Sequence, residues 1–391
     1  MDVDAVGERL DAASATGVAL PAEDAGKSAT VVVEPGDAPD LVDDAAARVA
    51  AMSTREKAAS VVMGHVPATD AATLRSYMES TGVGGFILMG ANIPGTEGEL
   101  RALTAAMTLD PALPPLLGID QEGGDVTRLP WDRFASARVL KDQPAAVTHD
   151  AFAGRAAIVA RAGIGVNYGV VADVTADRSM FIFHRALGIS PQSGAEHVVA
   201  AVSGEEGSVL STIKHFPGHG AAPGDSHSGI PSTAMPKAQW RAADGVPFAA
   251  GIDAGAPLLM YGHLAYTAVD PAPASMSAEW HRIAREELGF DGVAITDDLG
   301  MLEASGNPAY ADPVANAVAA LAAGNDMVLA IVFTRADSAA RIIDGIVAAV
   351  DSGALPAARL DDAAGRVMRL RLELAADGRA LLPCPECAPV G

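Results

Sequence analysis

Residues 289–299 have the sequence Gly-Phe-Asp-Gly-Val-Ala-Ile-Thr-Asp-Asp-Leu. The apolar run in its middle predicts a buried strand, and Asp297 stands where that strand ends. A continuous apolar run is typical of a parallel sheet that is covered on both faces. Asp298 is expected to begin the next loop or to cap the next helix. The segment therefore predicts a buried parallel strand that presents a carboxylate at its C-terminal end.

Seven other short, mostly apolar segments are also predicted to be buried strands, and amphipathic stretches separate them. The eight strand candidates are Ser60–Gly64, Gly84–Gly90, Leu116–Asp120, Gly165–Asp173, Leu210–His215, Leu258–His263, Gly292–Asp297 and Asp326–Ile331. Helices are predicted between them, including Thr96–Met107, His149–Ala162, Gly194–Gly204, Pro236–Ala250 and Ser277–Leu288. Eight such βα units favour an α/β fold that closes into a single (β/α)8 TIM-type barrel. An open doubly wound sheet is the structural alternative.

Polar residues follow these strands at their ends. Five of the eight predicted strands finish in a charged or imidazole side chain, namely Asp120, Asp173, Lys214-His215, His263 and Asp297. The C-terminal edge of barrel strands is where the active sites of such barrels form. The pattern therefore predicts a polar mouth above an apolar barrel.

Composition limits the classes of function. The chain has 391 residues, of which 50% are hydrophobic, so a large core is expected. The formal net charge of −22 argues against a nucleic acid or anionic membrane partner. No apolar stretch is long enough to span a bilayer. The two cysteines, Cys384 and Cys387, are interpreted as an incidental tail pair or a local disulfide, although a C-x-x-C pair can also be redox-active or bind zinc.

The chain divides into three predicted parts. Residues 1–43 form a loosely structured N-terminal extension in which only residues 30–33 resemble a strand, residues 44–375 form the barrel, and residues 376–391 form a short tail. The barrel part is predicted to open with a helix over residues 44–52. A capping box at residues 53–56 then begins a second helix, and a helix over residues 360–374 closes the barrel part. No signal peptide is recognisable, but the extension favours an exported or cell-surface mature form over a cytoplasmic one.

Residues 214–220, Lys-His-Phe-Pro-Gly-His-Gly, precede Asp225-Ser226-His227. His215 and His219 have the spacing of metal ligands on a helix, but the intervening proline and glycine disfavour a helix. They could instead be loop histidines that are satisfied by backbone hydrogen bonds. A third interpretation is a catalytic loop, in which Asp225 orients the imidazole of His227 and makes its other nitrogen more basic.

Together with residues 118–124, Gly-Ile-Asp-Gln-Glu-Gly-Gly, these segments resemble glycoside hydrolase family 3, in particular its single-domain β-N-acetylglucosaminidase branch of peptidoglycan recycling. The resemblance extends from about Asp43 to Ala375, with four motifs in the expected order. It implies a (β/α)8 barrel, a retaining two-step mechanism, no cofactor and no metal. The Asp-Ser-His loop marks the N-acetylhexosaminidase branch rather than the β-glucosidases.

The resemblance also implies roles for individual residues. Asp297 matches the nucleophile, His227 the acid/base and Asp225 its partner. The positions that match substrate-binding residues are Asp120, Arg128, Arg185, Lys214 and His215. Two departures stand out: Arg185-Ala-Leu-Gly replaces the usual Arg-Ser-Phe-Gly, and Asp125 stands where relatives often have arginine. The second departure is expected to alter binding beyond the first sugar.

The expected function is a retaining exo-β-N-acetylhexosaminidase that acts on peptidoglycan fragments or chitooligosaccharides. A phosphorylase is the second hypothesis, because an imidazole in place of a carboxylate repels phosphate less. A catalytically silent sugar-binding barrel is the third. The only expected partner is a carbohydrate substrate, and the chain is expected to be a monomer.

Overall fold

The computed structural model describes residues 41–376, and within them eight parallel strands close into a barrel. Each strand pairs with its neighbours in the sequence, and the last pairs with the first. The strands are β1 (Val62–Gly64), β2 (Gly85–Leu88), β3 (Leu116–Ile119), β4 (Val166–Val171), β5 (Leu210–Phe216), β6 (Leu258–Tyr261), β7 (Val293–Asp298) and β8 (Met327–Leu329). The eight predicted strands and the closed barrel are confirmed, and the open sheet is wrong.

Helices surround the barrel, and among residues 41–376 none is long and apolar enough to cross a membrane. The helices are α1 (Leu41–Ala51), α2 (Thr54–Ser60), α3 (Ala71–Thr81), α4 (Glu97–Met107), α5 (Ala137–Leu140), α6 (Ala145–Arg161), α7 (Pro191–Glu205), α8 (Lys237–Ala242), α9 (Gly245–Asp253), α10 (Ala278–Arg282), α11 (Gly300–Ala304), α12 (Pro313–Ala323), α13 (Ser338–Ser352) and α14 (Ala357–Ala376). The predicted strand-like run at 30–33 and the tail cysteines lie outside the described residues.

The strands are buried on both faces, as their continuous apolar sequences predict. Side chains such as Met63, Ile87 and Ile295 form one buried cluster together with Val367 and Leu370 of α14. The alternate residues of the same strands pack outward against the helices, because successive side chains of a strand point to opposite faces. The barrel interior is therefore filled with largely apolar side chains.

One predicted helix is wrong in extent. The stretch Pro236–Ala250 forms two helices, α8 and α9, which are separated at Ala243 and Asp244. Pro247 has no N–H and is tolerated only in the first turn of a helix, so a new helix has to begin just before it. The predicted capping box is present: the Ser53 hydroxyl accepts from the Glu56 N–H, and the Glu56 carboxylate accepts from the Ser53 N–H.

A buried carboxylate joins strand and helices at the start of β8. Asp326 is fully buried and accepts hydrogen bonds from Arg285 at 2.5 Å and Arg359 at 2.6 Å, with Arg366 at 3.3 Å. A buried charge is tolerated only when it is paired and hydrogen-bonded. The three arginines thus tie the segment after α10 and the helix α14 to the entry of the last strand.

Close approach of two backbone segments makes Gly84 essential to the barrel. A Cβ at this position would lie 1.8 Å from the Ser60 carbonyl oxygen, whereas a Cβ at Gly365, inside α14, would meet nothing within 4 Å. We expect Gly84→Ala to lower the free energy of unfolding by about 2 kcal/mol or more through overpacking. The control Gly365→Ala should raise it by up to about 1 kcal/mol, because alanine favours helix. Urea denaturation measures both, and a Gly84→Ala variant as stable as the parent chain would contradict the barrel packing.

Candidate active site

The predicted site residues come together at the C-terminal ends of the strands. A cavity of about 180 Å³ is lined by Asp120, Arg128, Arg185, Lys214, His215, His227 and Asp297. The eighth predicted residue, Asp225, contacts His227. The structure therefore brings all eight residues into one place, although the chain segments that carry them are far apart in the sequence.

A network of ion pairs forms the floor of the cavity. The Lys214 ammonium lies 2.9 Å from Asp120 and 2.7 Å from Glu122. Arg185 donates to both Glu122 oxygens, at 2.7 and 2.9 Å, and Arg128 lies 3.3 Å from Asp120. Burial raises the pKa of Glu122, but the charges of Arg185 and Lys214 outweigh it and hold the pKa at about 2. Glu122 is therefore ionised at neutral pH.

A short hairpin after β3 positions Glu122 and Arg128. Its two strands, Gln121–Gly123 and Val126–Thr127, pair in antiparallel fashion. The Gln121 side-chain oxygen accepts the backbone N–H of Arg128 at 2.9 Å, and its amide nitrogen donates to Asp132 at 2.7 Å. These buried bonds fix the return of the hairpin, so that Arg128 lies next to the carboxylate at the end of β3.

The ring of His215 lies between a carboxylate and a guanidinium. Its Nδ1 lies 2.7 Å from the carboxylate of Asp173, and its Nε2 lies 3.3 Å from the Arg185 guanidinium. A carboxylate accepts and a guanidinium donates, so neutral His215 carries its hydrogen on Nδ1. Burial raises the pKa of Asp173, but the effect of His215 and His219, which lower it, is larger. The pKa of Asp173 therefore lies below its usual range.

The two aspartates at the end of β7 have different surroundings. Asp297 is partly accessible from the cavity, and its Oδ1 accepts the Asp298 N–H at 2.8 Å. Burial raises its pKa, but His215, His263, that N–H and Lys214 together hold the pKa below the usual value. Asp298 is buried and accepts the N–H groups of Gly300, Ile331 and Val332. Burial raises the pKa of Asp298 to about 6. Because the Asp298 oxygens are buried and occupied by three N–H groups, the accessible Asp297 is the aspartate suited to nucleophilic chemistry.

The Asp225–His227 pair lies on an exposed loop after β5. The Asp225 Oδ1 is 2.6 Å from the His227 Nδ1 and also accepts the His227 backbone N–H at 3.0 Å. Burial raises the pKa of Asp225, but these two hydrogen bonds lower it more, so the carboxylate stays ionised. The side chain of His227 is 61% exposed, and its remaining nitrogen, Nε2, is left for substrate or water.

Some residues of the site were not predicted from the sequence. Glu122 is part of the quoted 118–124 motif, but its partners, Arg185 and Lys214, lie on segments distant in the sequence. The centroid of the Phe181 ring lies 4.5 Å from that of His219 and 6.3 Å from that of His227. No pattern in the sequence points to Phe181 as a residue of the site. Asp125 pairs with Arg138 at 3.3 Å on the exposed side of the hairpin. Its predicted effect on binding beyond the first sugar stays a prediction.

The histidines of residues 214–220 contact protein groups in the described chain. His219 Nε2 lies 3.0 Å from the Ser226 hydroxyl, and His215 faces Asp173. Among residues 41–376, no cluster of three histidine, cysteine or acidic side chains is arranged to hold a metal ion. The site described by these residues is one of carboxylates, cations and imidazoles.

Comparison with known proteins gives a consistent result. A beta-hexosaminidase of Pseudomonas aeruginosa is 38% identical over 263 residues, which span 65% of this chain and 76% of the relative. A glycoside hydrolase family 3 β-N-acetylglucosaminidase from Paenibacillus has a similar structure, with a TM-score of 0.77, 28% identity, and coverage of 83% of this chain but only 63% of that longer chain. LpqI of Mycobacterium tuberculosis has a TM-score of 0.75 and 28% identity, with 83% of this chain and 95% of that chain covered.

The sequence model described as the glycosyl hydrolase family 3 N terminal domain matches residues 53–370. This range contains all eight strands of the barrel and every residue of the cavity. The chain therefore belongs to glycoside hydrolase family 3.

Proposed function

We propose that the protein is a retaining exo-β-N-acetylhexosaminidase that releases terminal β-linked N-acetylglucosamine from peptidoglycan fragments or chitooligosaccharides. One observation carries the proposal: the ionised Asp297 opens onto the same cavity as His227, whose Nδ1 is held by Asp225. The names of the relatives, a beta-hexosaminidase and a β-N-acetylglucosaminidase, support the choice of sugar.

In the proposed first step, Asp297 attacks the anomeric carbon and forms a glycosyl ester while the bond to the leaving oxygen breaks. His227 gives the proton on Nε2 to that oxygen. Asp225 stabilises the protonated imidazole before this transfer and keeps the remaining hydrogen on Nδ1 afterwards. The leaving group therefore departs as a neutral alcohol.

In the second step a water molecule attacks the same carbon and expels Asp297. The neutral His227 accepts the proton of that water on Nε2 and is ready for the next cycle. Two successive displacements at one carbon give net retention of configuration. The exposure of the His227 side chain lets water reach Nε2 once the first product has left.

The ion-pair network supplies the rigid part of the sugar site. The side chains of Asp120, Arg128 and Lys214 are fixed by contacts with one another, so they need little rearrangement when a sugar binds. Groups fixed before binding retain more of their interaction energy for orienting the reacting carbon. In this proposal they hold the sugar hydroxyls so that the anomeric carbon faces Asp297.

The nucleophile is tested by removing its carboxylate. Asp297→Ala should lower kcat/KM on an aryl N-acetyl-β-glucosaminide by about a thousandfold or more, because no other group would form the glycosyl ester. The control is Asp291→Ala, which removes an aspartate of 89% exposure before the same strand and should leave the rate unchanged. Circular dichroism checks folding. A folded Asp297→Ala variant of near-parent activity contradicts the assignment.

The coupling of Asp225 and His227 is tested by a double-mutant cycle. His227→Ala should lower the rate by about 10²–10⁴-fold, since general acid catalysis contributes this much. Asp225→Asn should be equally or less harmful, and the double variant should be no worse than His227→Ala. Initial rates on one aryl substrate decide the matter. Losses that multiply would show that the two side chains act independently.

Specificity for the 2-acetamido group tests the choice of sugar. A site built around an acetamide leaves buried polar groups unpaired when the substrate has a hydroxyl, at about 1–3 kcal/mol per group. We expect kcat/KM for an aryl N-acetyl-β-glucosaminide to exceed that for the matching β-glucoside by at least about tenfold. Both substrates must carry the same leaving group. Equal or greater activity on the glucoside would rule out the N-acetylhexosaminidase assignment.

A further inference from the structure

The loop of the acid/base pair is anchored by its middle residue. Asp225 and His227 are exposed, whereas Ser226 between them is only 3% exposed. The Ser226 hydroxyl lies 3.0 Å from the Nε2 of His219, which is itself buried. The Asp225 and His227 side chains are therefore exposed to solvent, while the hydrogen bond of Ser226 ties the loop to the buried His219.

Two further contacts fix the position of His219. Its backbone N–H donates to the Asp173 carboxylate at 2.5 Å, and its ring packs edge-on against Phe181 at 4.5 Å. The same Asp173 carboxylate holds the Nδ1 of His215. His219 therefore connects the strand-end framework of the cavity with the exposed loop.

The chemistry of His219 suits a structural contact rather than proton transfer. Burial lowers the pKa of His219 to about 4, so its ring is neutral at neutral pH and can exchange one hydrogen bond with the serine. Its Nδ1 is buried and has no hydrogen-bond partner among residues 41–376. The contact with Ser226 is thus the one side-chain hydrogen bond of His219 in the described chain.

We propose that His219 and Ser226 form a latch that places the Asp225–His227 pair over the cavity, and that both are positioning residues for protonation of the leaving group. This inference rests on the function proposed above. Orientation of a catalytic group matters because a displacement of about 1 Å lowers a rate by about a hundredfold. Loss of the latch should therefore impair the proton transfer and leave the nucleophile and the sugar site intact.

The test compares two leaving groups. For both phenyl and 2,4-dinitrophenyl N-acetyl-β-glucosaminide, kcat/KM reports formation of the glycosyl enzyme, but only phenol needs a proton to depart. We expect Ser226→Ala to lower kcat/KM on the phenyl substrate by at least about tenfold, a part of the general-acid contribution. On the dinitrophenyl substrate, kcat/KM should stay within about twofold of the parent enzyme. His227→Ala should show the same selectivity with a larger loss.

The matched control is Ser228→Ala. Ser228 lies two residues further along the same exposed turn, and its hydroxyl donates to the Asp225 carbonyl at 3.3 Å. This variant removes a serine hydroxyl from the same loop without touching the latch, so both rate constants should remain those of the parent enzyme. Ser226→Cys provides a second variant that replaces the hydroxyl by a slightly larger thiol and so fills the site but weakens the hydrogen bond, in case the alanine variant does not fold.

Each outcome decides the proposal. A loss on the phenyl substrate alone supports the latch, whereas equal losses on both substrates indicate a general defect in folding or binding and overturn it. Parent rates on both substrates also overturn it while the proposed function stands. Absence of hydrolysis of either substrate by the parent enzyme overturns the proposed function and the latch together. Melting temperatures of all variants separate loss of folding from loss of proton transfer.

Discussion

Glu122 lies almost fully buried between the Lys214 ammonium and the Arg185 guanidinium, and the arrangement of the barrel mouth depends on these two contacts. Removing any ion from water costs several kcal/mol, so each buried charge here needs a partner at short range. Lys214 also contacts Asp120, and Arg185 also contacts His215. One carboxylate thus determines where two cations lie, and these cations in turn fix the ends of β3 and β5.

The two proposed catalytic groups are supported in different ways. Asp297 belongs to β7, and the side-chain carboxylate of the neighbouring Asp298 joins that strand end to the loop after β8 by accepting the backbone N–H groups of Ile331 and Val332. His227 belongs to an exposed loop that contacts the framework through Ser226. A nucleophile benefits from a rigid position, because it must meet one carbon along one line. An acid/base group has to serve a leaving alcohol and then a water molecule, and exposure to solvent suits the second task.

Sequence patterns predicted the framework better than the contacts within it. The eight strands were predictable because each is a short, mostly apolar segment between amphipathic stretches, and five of them end in a charged or imidazole side chain. The joint between α8 and α9 was missed because a helical periodicity continues across Asp244, and only Pro247 marks the restart. Glu122 gained its role from partners on distant segments, which a local pattern does not contain. The spacing of His215 and His219 allowed several interpretations, and tertiary contacts assign each ring a different partner, Asp173 or Ser226.

The distribution of charge explains how an acidic protein keeps its proposed nucleophile ionised. The formal net charge is −22, yet the ion pairs beneath the cavity join three cations, those of Arg128, Arg185 and Lys214, to two carboxylates, those of Asp120 and Glu122. Asp297 makes no ion pair with any residue of the described range 41–376, but His215, His263, the Asp298 N–H and Lys214 hold its pKa below the usual value against the effect of burial. The Asp297 carboxylate is therefore ionised without an ion-pair partner at contact distance. Glycoside hydrolysis passes through a transition state with positive charge on the sugar ring, so a free and ionised carboxylate at that point stabilises the transition state more than the neutral substrate.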